Sequence, residues 1–244
     1  MEILALAGLF FAAAVLYSSV GHAGASAYLA AMALVGVAPD TMRPTALVLN
    51  LFVASIVIVR FARAGHLPWR SLVPLAIGSV PMAFLGGSIE LPGEIYRPLV
   101  AVALLAGAWR LATATTPIHD EERSGVPAPA GILAGAAIGL LAGLTGTGGG
   151  IFLTPLLVLA GWMGTRDAAG LSGAFILVNS IAGLSGLATD GVSLPPAIPL
   201  WVGSVAVGGL IGSRLGAGRF TILTLRRALA FVLLLAAAKL AFLP

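Results

Sequence analysis

Eight stretches of about 20 predominantly apolar residues, each long enough to cross a bilayer, follow one another along this 244-residue chain. They fall at 3–20, 43–62, 71–89, 95–112, 129–145, 168–187, 196–214 and 222–243. Few folds are open to such a chain. Hydrocarbon offers no water to backbone N–H and C=O groups, so each segment must satisfy its own, as a helix does. Charged residues make up 9% of the chain, against about 25% in a soluble domain. The expected fold class is therefore an all-α integral membrane protein. Ile3 to Val20 lacks the positive start of a signal peptide and is read as a retained segment. The arginines sit singly or in small groups between apolar runs, not in the dense basic stripe of a nucleic-acid binder. Cysteine is absent, which excludes disulfides and thiolate metal sites. No cofactor motif is present, and no GxxxxGK[ST] loop suggests an ATP motor.

Two further apolar stretches, 25–37 and 149–162, are too short to span. Each follows a glycine-rich break, Gly21-His22-Ala23-Gly24 in one case and Gly146-Thr147-Gly148-Gly149-Gly150 in the other. A polar linker centred on Asp120-Glu121-Glu122-Arg123 divides the chain into residues 1–112, the linker 113–128, and residues 129–244. The two sides share landmarks in one order. Gly21 to Gly24 matches Gly146 to Gly149, Asn50 matches Asn179, Pro74 to Ser79 matches Pro199 to Ser204, and Gly87-Ser88 matches Gly212-Ser213. These point to a duplication, with about five helical segments per repeat, one of them a short broken or re-entrant helix.

If the first two segments of each repeat both cross, or both dip in and return as a hairpin, each repeat has an odd number of net crossings and the two insert in opposite senses. The alternative is eight crossings, with one short segment per half not crossing. The cations agree with opposite insertion. Ten of the 13 fall on one side: Arg60, Arg63, Arg70, Arg110, Arg123, Arg166, Arg214, Arg219, Arg226 and Arg227. Arg43, Arg97 and Lys239 fall on the other. The rich side is expected to be cytoplasmic, with both termini extracytoplasmic. Trp69, Trp109, Trp162 and Trp201 lie near segment ends, as in an interfacial belt.

Symmetric glycine breaks in an inverted repeat point to a transporter's binding site. Each break opens a short helix, whose N-terminus carries about half a positive charge. Two such ends aimed at one midplane point suit an anion. The candidate binding residues are Ser19, Gly21, His22, Gly24 and Ser26 in the first half, and Thr145, Gly146, Thr147, Gly148, Gly149 and Gly150 in the second. Asn50 and Asn179 stand in otherwise apolar segments and complete the set. An amide donates two hydrogen bonds, to an oxyanion or equally to a neighbouring helix. The competing reading of the glycines is close helix packing, expected of Gly139, Gly143, Gly208 and Gly212. Pro155 is expected early in the second short helix, where its missing N–H does little harm. All nine carboxylates fall at termini, loops or segment ends. A coupled proton would then travel on His22 or on the substrate itself.

Gly143-Leu144-Thr145-Gly146-Thr147-Gly148-Gly149-Gly150, with Pro155-Leu156-Leu157 and Gly161, resembles the signature of the sulfite exporter TauE/SafE family. The resemblance covers essentially the whole chain. It departs from the pattern in the first half, where His22 and Ala23 replace Thr147 and Gly148. It implies a secondary transporter or facilitator in the cell inner membrane. The expected partners are the lipid bilayer and a small inorganic or organosulfur anion, such as sulfite or a sulfonate. A passive anion channel and a non-transport membrane scaffold or enzyme are the alternatives.

The topology is testable with single cysteines introduced into this cysteine-free chain. Positions 63 and 94 are expected to react with an impermeant thiol reagent from opposite sides of the membrane. Labelling of both from one side excludes inverted insertion.

Overall fold

The computed structural model describes residues 2–113, 125–189, 191–215, 233–234 and 237–241. Side chains at 110–113 and 165 are outside the description. Among the described residues the chain forms α1 (Glu2–Ser19), α2 (Ala25–Val35), α3 (Pro39–Arg63), α4 (Trp69–Ser88), α5 (Gly93–Thr113), α6 (Ala128–Thr145), α7 (Gly150–Leu159), α8 (Thr165–Leu187) and α9 (Ile198–Leu215). Six of these, α1, α3, α4, α6, α8 and α9, contain membrane-length apolar stretches, and α2 and α7 are short apolar helices. The expected segment at 222–243, with Arg226 and Arg227, lies largely outside the described residues, as do Arg219 and the linker charges Asp120 to Arg123.

Helices begin and end where local chemistry demands. Pro39 opens α3 at a position whose N–H would be unbonded anyway. Gly36 ends α2 at φ +86°, returning its N–H to the Ala33 and Met32 carbonyls. Pro155 departs from expectation. It is the sixth residue of α7, so the Ile151 carbonyl loses its helical donor.

Small residues set how closely the long helices pack. Gly135, Gly139 and Gly143 of α6 lie against the backbone of Leu75, Ser79 and Ala83 of α4, where a Cβ would collide with main-chain atoms. Gly208 and Gly212 of α9 lie in the same way on Phe11 and Val15 of α1. The packing expected of Gly139, Gly143, Gly208 and Gly212 is thus observed. Paired numbers rise together, so α4 runs parallel to α6 and α1 parallel to α9.

Other contacts fix the remaining directions. Along α3 and α8, Val57 meets Gly173, Asn50 meets Ser180 and Leu47 meets Gly183, so these two are antiparallel. Gly209 of α9 rests on Val53, and Arg214 shares a pocket with Arg60 and Arg63, so α9 runs with α3. Arg43, near the start of α3, reaches carbonyls at the ends of α4 and α6. Those helices therefore run against α3.

Each short helix sits at the heart of its own core. Tyr28, Leu29 and Met32 of α2 are buried among α1, α3, α5 and Trp201. Leu153 and Leu157 of α7 are buried with Leu75, Ile138, Leu171 and Phe175. Trp69 is exposed, as a belt residue would be, but Trp201 is buried. It packs edge-on against Phe10 and donates from Nε1 to the Ile3 carbonyl at 3.1 Å. Fastening α9 to α1 overrides the interfacial role expected of that residue.

Gly139→Ala should cost about 3 kcal/mol, the upper range for overpacking, because the colliding atoms are backbone. Gly8→Ala, with open space around it, should cost under about 0.5 kcal/mol. Thermal melts of the detergent-solubilised protein read both. Equal midpoints for the two variants would refute the close α4–α6 seam.

Candidate functional site

The first break follows α1, with Gly21 at φ +82° and Gly24 at φ +105°. The second follows α6, with Gly146, Gly148 and Gly149 at φ +79°, +72° and +81°. Residues with a Cβ avoid this region, so the breaks need glycine for conformation as well as for space. Residues 21–24 and 146–150 are all buried.

The two breaks meet. His22 Nε2 lies 3.3 Å from the Gly150 carbonyl and 2.9 Å from Thr154 Oγ1. His22 Nδ1 lies 3.1 Å from the Val20 carbonyl. Thr154 Oγ1 in turn is 2.6 Å from Ser172 Oγ of α8. The histidine of the first break is thereby tied to the first turn of α7, and through it to α8. A neutral imidazole carries one N–H, so it donates to one of the two carbonyls at a time.

Gly148 lies against the crossing of α3 and α8. A Cβ there would fall 2.7 Å from Asn50 Nδ2 and 3.1 Å from Ser180 Oγ. Asn50 donates to Ser180 Oγ at 3.3 Å, and Asn179 donates back to the Phe175 carbonyl of its own helix at 2.8 Å. Both asparagines are 0% exposed. The Oδ1 atoms of both have no partner, nor do Thr45 Oγ1 and Ser79 Oγ. Phe152 and Leu153 N–H both return to the Gly149 carbonyl, and Ala27 and Tyr28 N–H to Gly24. Among the described residues no hydrogen bond ends on the N–H groups of Gly149, Gly150 and Ile151, or of Gly24, Ala25 and Ser26. Unbonded N–H groups are the rule at a helix start. Buried away from water, they call for another acceptor.

The candidate hydroxyls are otherwise engaged. Ser19 donates to the Leu16 carbonyl at 2.7 Å. Ser26 and Tyr17 share a hydrogen bond at 2.7 Å. Thr145 donates to the Leu141 carbonyl and lies 2.9 Å from Thr147 Oγ1. Gly21 abuts Ala169, Gly24 abuts the Tyr28 ring, and Gly146 abuts Arg43. Gly149 abuts Ile138, Phe175 and Ala142.

Arg43, the first residue of an expected span, lies inside α3 and is 5% exposed. Its Nε donates to Gly143 at 2.8 Å, and its terminal nitrogens donate to Ile89 at 3.0 Å, Gly87 at 2.9 Å and Gly86. The acceptors are carbonyls at the C-terminal ends of α4 and α6, where two parallel helix dipoles present their negative poles. Tyr96 of α5 joins this cluster, donating to the Thr145 carbonyl at 3.2 Å. Thr154, Ser172 and Ser180 likewise join the site without having been singled out. The landmark spacing does offer signals: Ser172 lies seven residues before Asn179, as Arg43 does before Asn50. Among the described residues no group of three His, Asp or Glu side chains is placed to hold a metal ion.

The profile of the family described as "Sulfite exporter TauE/SafE" matches residues 5–240. A probable membrane transporter protein of Sinorhizobium fredii is 37% identical over 242 residues, 98% of each chain. One of Methanocaldococcus jannaschii is 30% identical over 140 residues, 55% of this chain and 51% of its own. One of Xylella fastidiosa is 32% identical over 166 residues, 63% and 61% of the two chains. No solved structure matches.

Arg43→Gln removes most of a buried fan of charge-assisted hydrogen bonds. At about 1.5–3 kcal/mol for each such bond, it should lower stability by at least about 3 kcal/mol, read as an earlier thermal midpoint and loss of the monodisperse peak. A wild-type melt in this variant would show that the carbonyls find other partners.

Proposed function

This chain belongs to the sulfite exporter TauE/SafE family of membrane transporters, and on that footing we propose that it is a secondary transporter or facilitator for a small sulfur-containing oxyanion such as sulfite. The anion binds near the midplane, between the starts of α2 and α7. The observation that carries this reading is the pair of buried helix starts, with N–H groups lacking acceptors, in two breaks joined by the contact between His22 and Gly150. Convergent N–H groups and positive helix poles suit a small anion. Within the candidate set, the binding chemistry rests on Gly148, Gly149, Gly150, His22, Asn50 and Asn179. Rotation of either amide exchanges donor and acceptor, so each asparagine can meet an oxyanion or an O–H. Ser19, Ser26, Thr145, Thr147, Gly21, Gly24 and Gly146 hold the breaks in shape.

We also propose that the chain is two inverted repeats. Three observations support this. The pairs α3 with α8, α4 with α9 and α1 with α6 each run in opposite directions. The contact of α1 with α9 recurs as that of α6 with α4. Each short helix occupies a core of its own. In this arrangement α2 and α7 are the short elements that leave helix ends at the midplane. The end carrying Arg60, Arg63 and Arg214 is assigned to the cytoplasm.

Glycine substitutions test the site poorly. A side chain at 149 would collide with Ile138 and Phe175 whether or not an anion binds there. Asn50→Ala is the better probe, since it removes donors and adds no bulk. Uptake of labelled sulfite into proteoliposomes should saturate and show counterflow in the wild type. It should fall about tenfold or more in Asn50→Ala, as for loss of a hydrogen bond to a charged group. Unsaturable conductance in the wild type would mark a channel, and no flux a non-transporting protein. Normal uptake in the variant would remove Asn50 from the path.

A further inference from the structure

A pocket of 340 Å³ opens between α3 and α9, and no residue of either glycine break lines it. Ile56, Val59 and Leu210 form its apolar wall, and Arg60, Arg63 and Arg214 form its rim. The volume falls in the range of small-molecule sites, about 300–1,000 Å³. On α3 the lining residues fall at 55, 56, 59, 60 and 63, and on α9 at 210, 213 and 214, so each helix presents one face. All three arginines are exposed. Among the described residues none of their side chains has an ion pair or hydrogen bond, and no carboxylate lines the pocket.

The wall continues away from the arginines as an apolar track. By helical spacing, Phe52 lies one turn before Ile56 and Val207 one turn before Leu210. Phe52, Val59, Val207 and Leu210 are 44%, 48%, 52% and 47% exposed. In a multi-pass membrane protein such side chains face lipid tails. Guanidinium groups gathered at the helix ends, above a track open to hydrocarbon, match the two chemistries of one kind of molecule. A free anion has no use for the track, and a neutral lipid has no use for three unpaired cations.

We propose that this pocket binds an anionic phospholipid, its phosphate held by Arg60, Arg63 and Arg214 and its acyl chains lying along Phe52, Val59, Val207 and Leu210. Arginine suits the role because its planar fork bonds phosphate oxygens in pairs. The lipid would also bridge α3 to α9. The proposal concerns a lipid and stands whatever the transported substrate is.

Native mass spectrometry of the protein in neutral detergent tests it, with phosphatidylglycerol and phosphatidylcholine of identical chains as probes. The comparison is between R60Q/R214Q, inside the pocket, and R70Q/R166Q, exposed arginines outside it that carry the same loss of charge. Wild type should retain phosphatidylglycerol over phosphatidylcholine by about tenfold or more, at the usual contribution of a basic side chain near anionic lipid. R60Q/R214Q should lose that preference and R70Q/R166Q should keep it. Equal losses in the two variants would reduce the effect to diffuse charge and overturn the site. Unchanged retention in R60Q/R214Q would overturn it as well. Displacement of phosphatidylglycerol from the wild type by excess inorganic phosphate would assign the pocket to a free anion instead.

Discussion

A helix that ends inside a protein strands its terminal backbone groups where no water can reach them, and much of this molecule is arranged around that constraint. Four helix ends meet it at the breaks: the C-termini of α1 and α6 and the N-termini of α2 and α7. The C-terminal end of α6 is answered within the protein. Arg43 accepts the company of α4 and α6 together, its single positive charge set between two negative helix poles. Tyr96 takes the Thr145 carbonyl in the same cluster. The N-termini of α2 and α7 are not answered in this way.

The close seams make this arrangement possible. Backbone-to-backbone contact along Gly135, Gly139 and Gly143 brings α6 near enough to α4 for one side chain to serve both ends. On α8, Ala169 meets Gly21 while Ile176 and Ser180 meet Gly148 and Gly150. α8 is accordingly the most enclosed span, with 72% of its membrane-length window buried against 33–44% for the other five. It joins the two breaks through Ser172 and Thr154 to His22. A change in the packing of α8 would therefore reach both breaks.

Several elements were legible in advance because their causes are local. The short helices α2 and α7 announce themselves by glycine followed by a run too brief to span, and they form within a few residues of the expected limits. Gly139, Gly143, Gly208 and Gly212 pack as small residues at regular spacing should. Arg43 stands at the head of an expected span, and nothing in its own neighbourhood in sequence marks it as buried. Its burial depends on carbonyls of α4 and α6, about 45 and 100 residues away in sequence. Trp201, expected in an interfacial belt, is buried by distant partners. Its partners, Phe10 and the Ile3 carbonyl, belong to the opposite end of the chain.

The sequence by itself determined the membrane class, the helical content, the positions of both breaks and the family. Hydrophobic length and glycine act on their own few residues, whatever the rest of the chain does. Only the tertiary structure decided that the breaks touch, that His22 joins Thr154 and Ser172, and that the candidate hydroxyls spend their protons on neighbouring protein groups. A hydroxyl or an amide in a sequence is a donor without an address. Which acceptor it meets, and which buried N–H groups are left with none, follows from where distant helices cross.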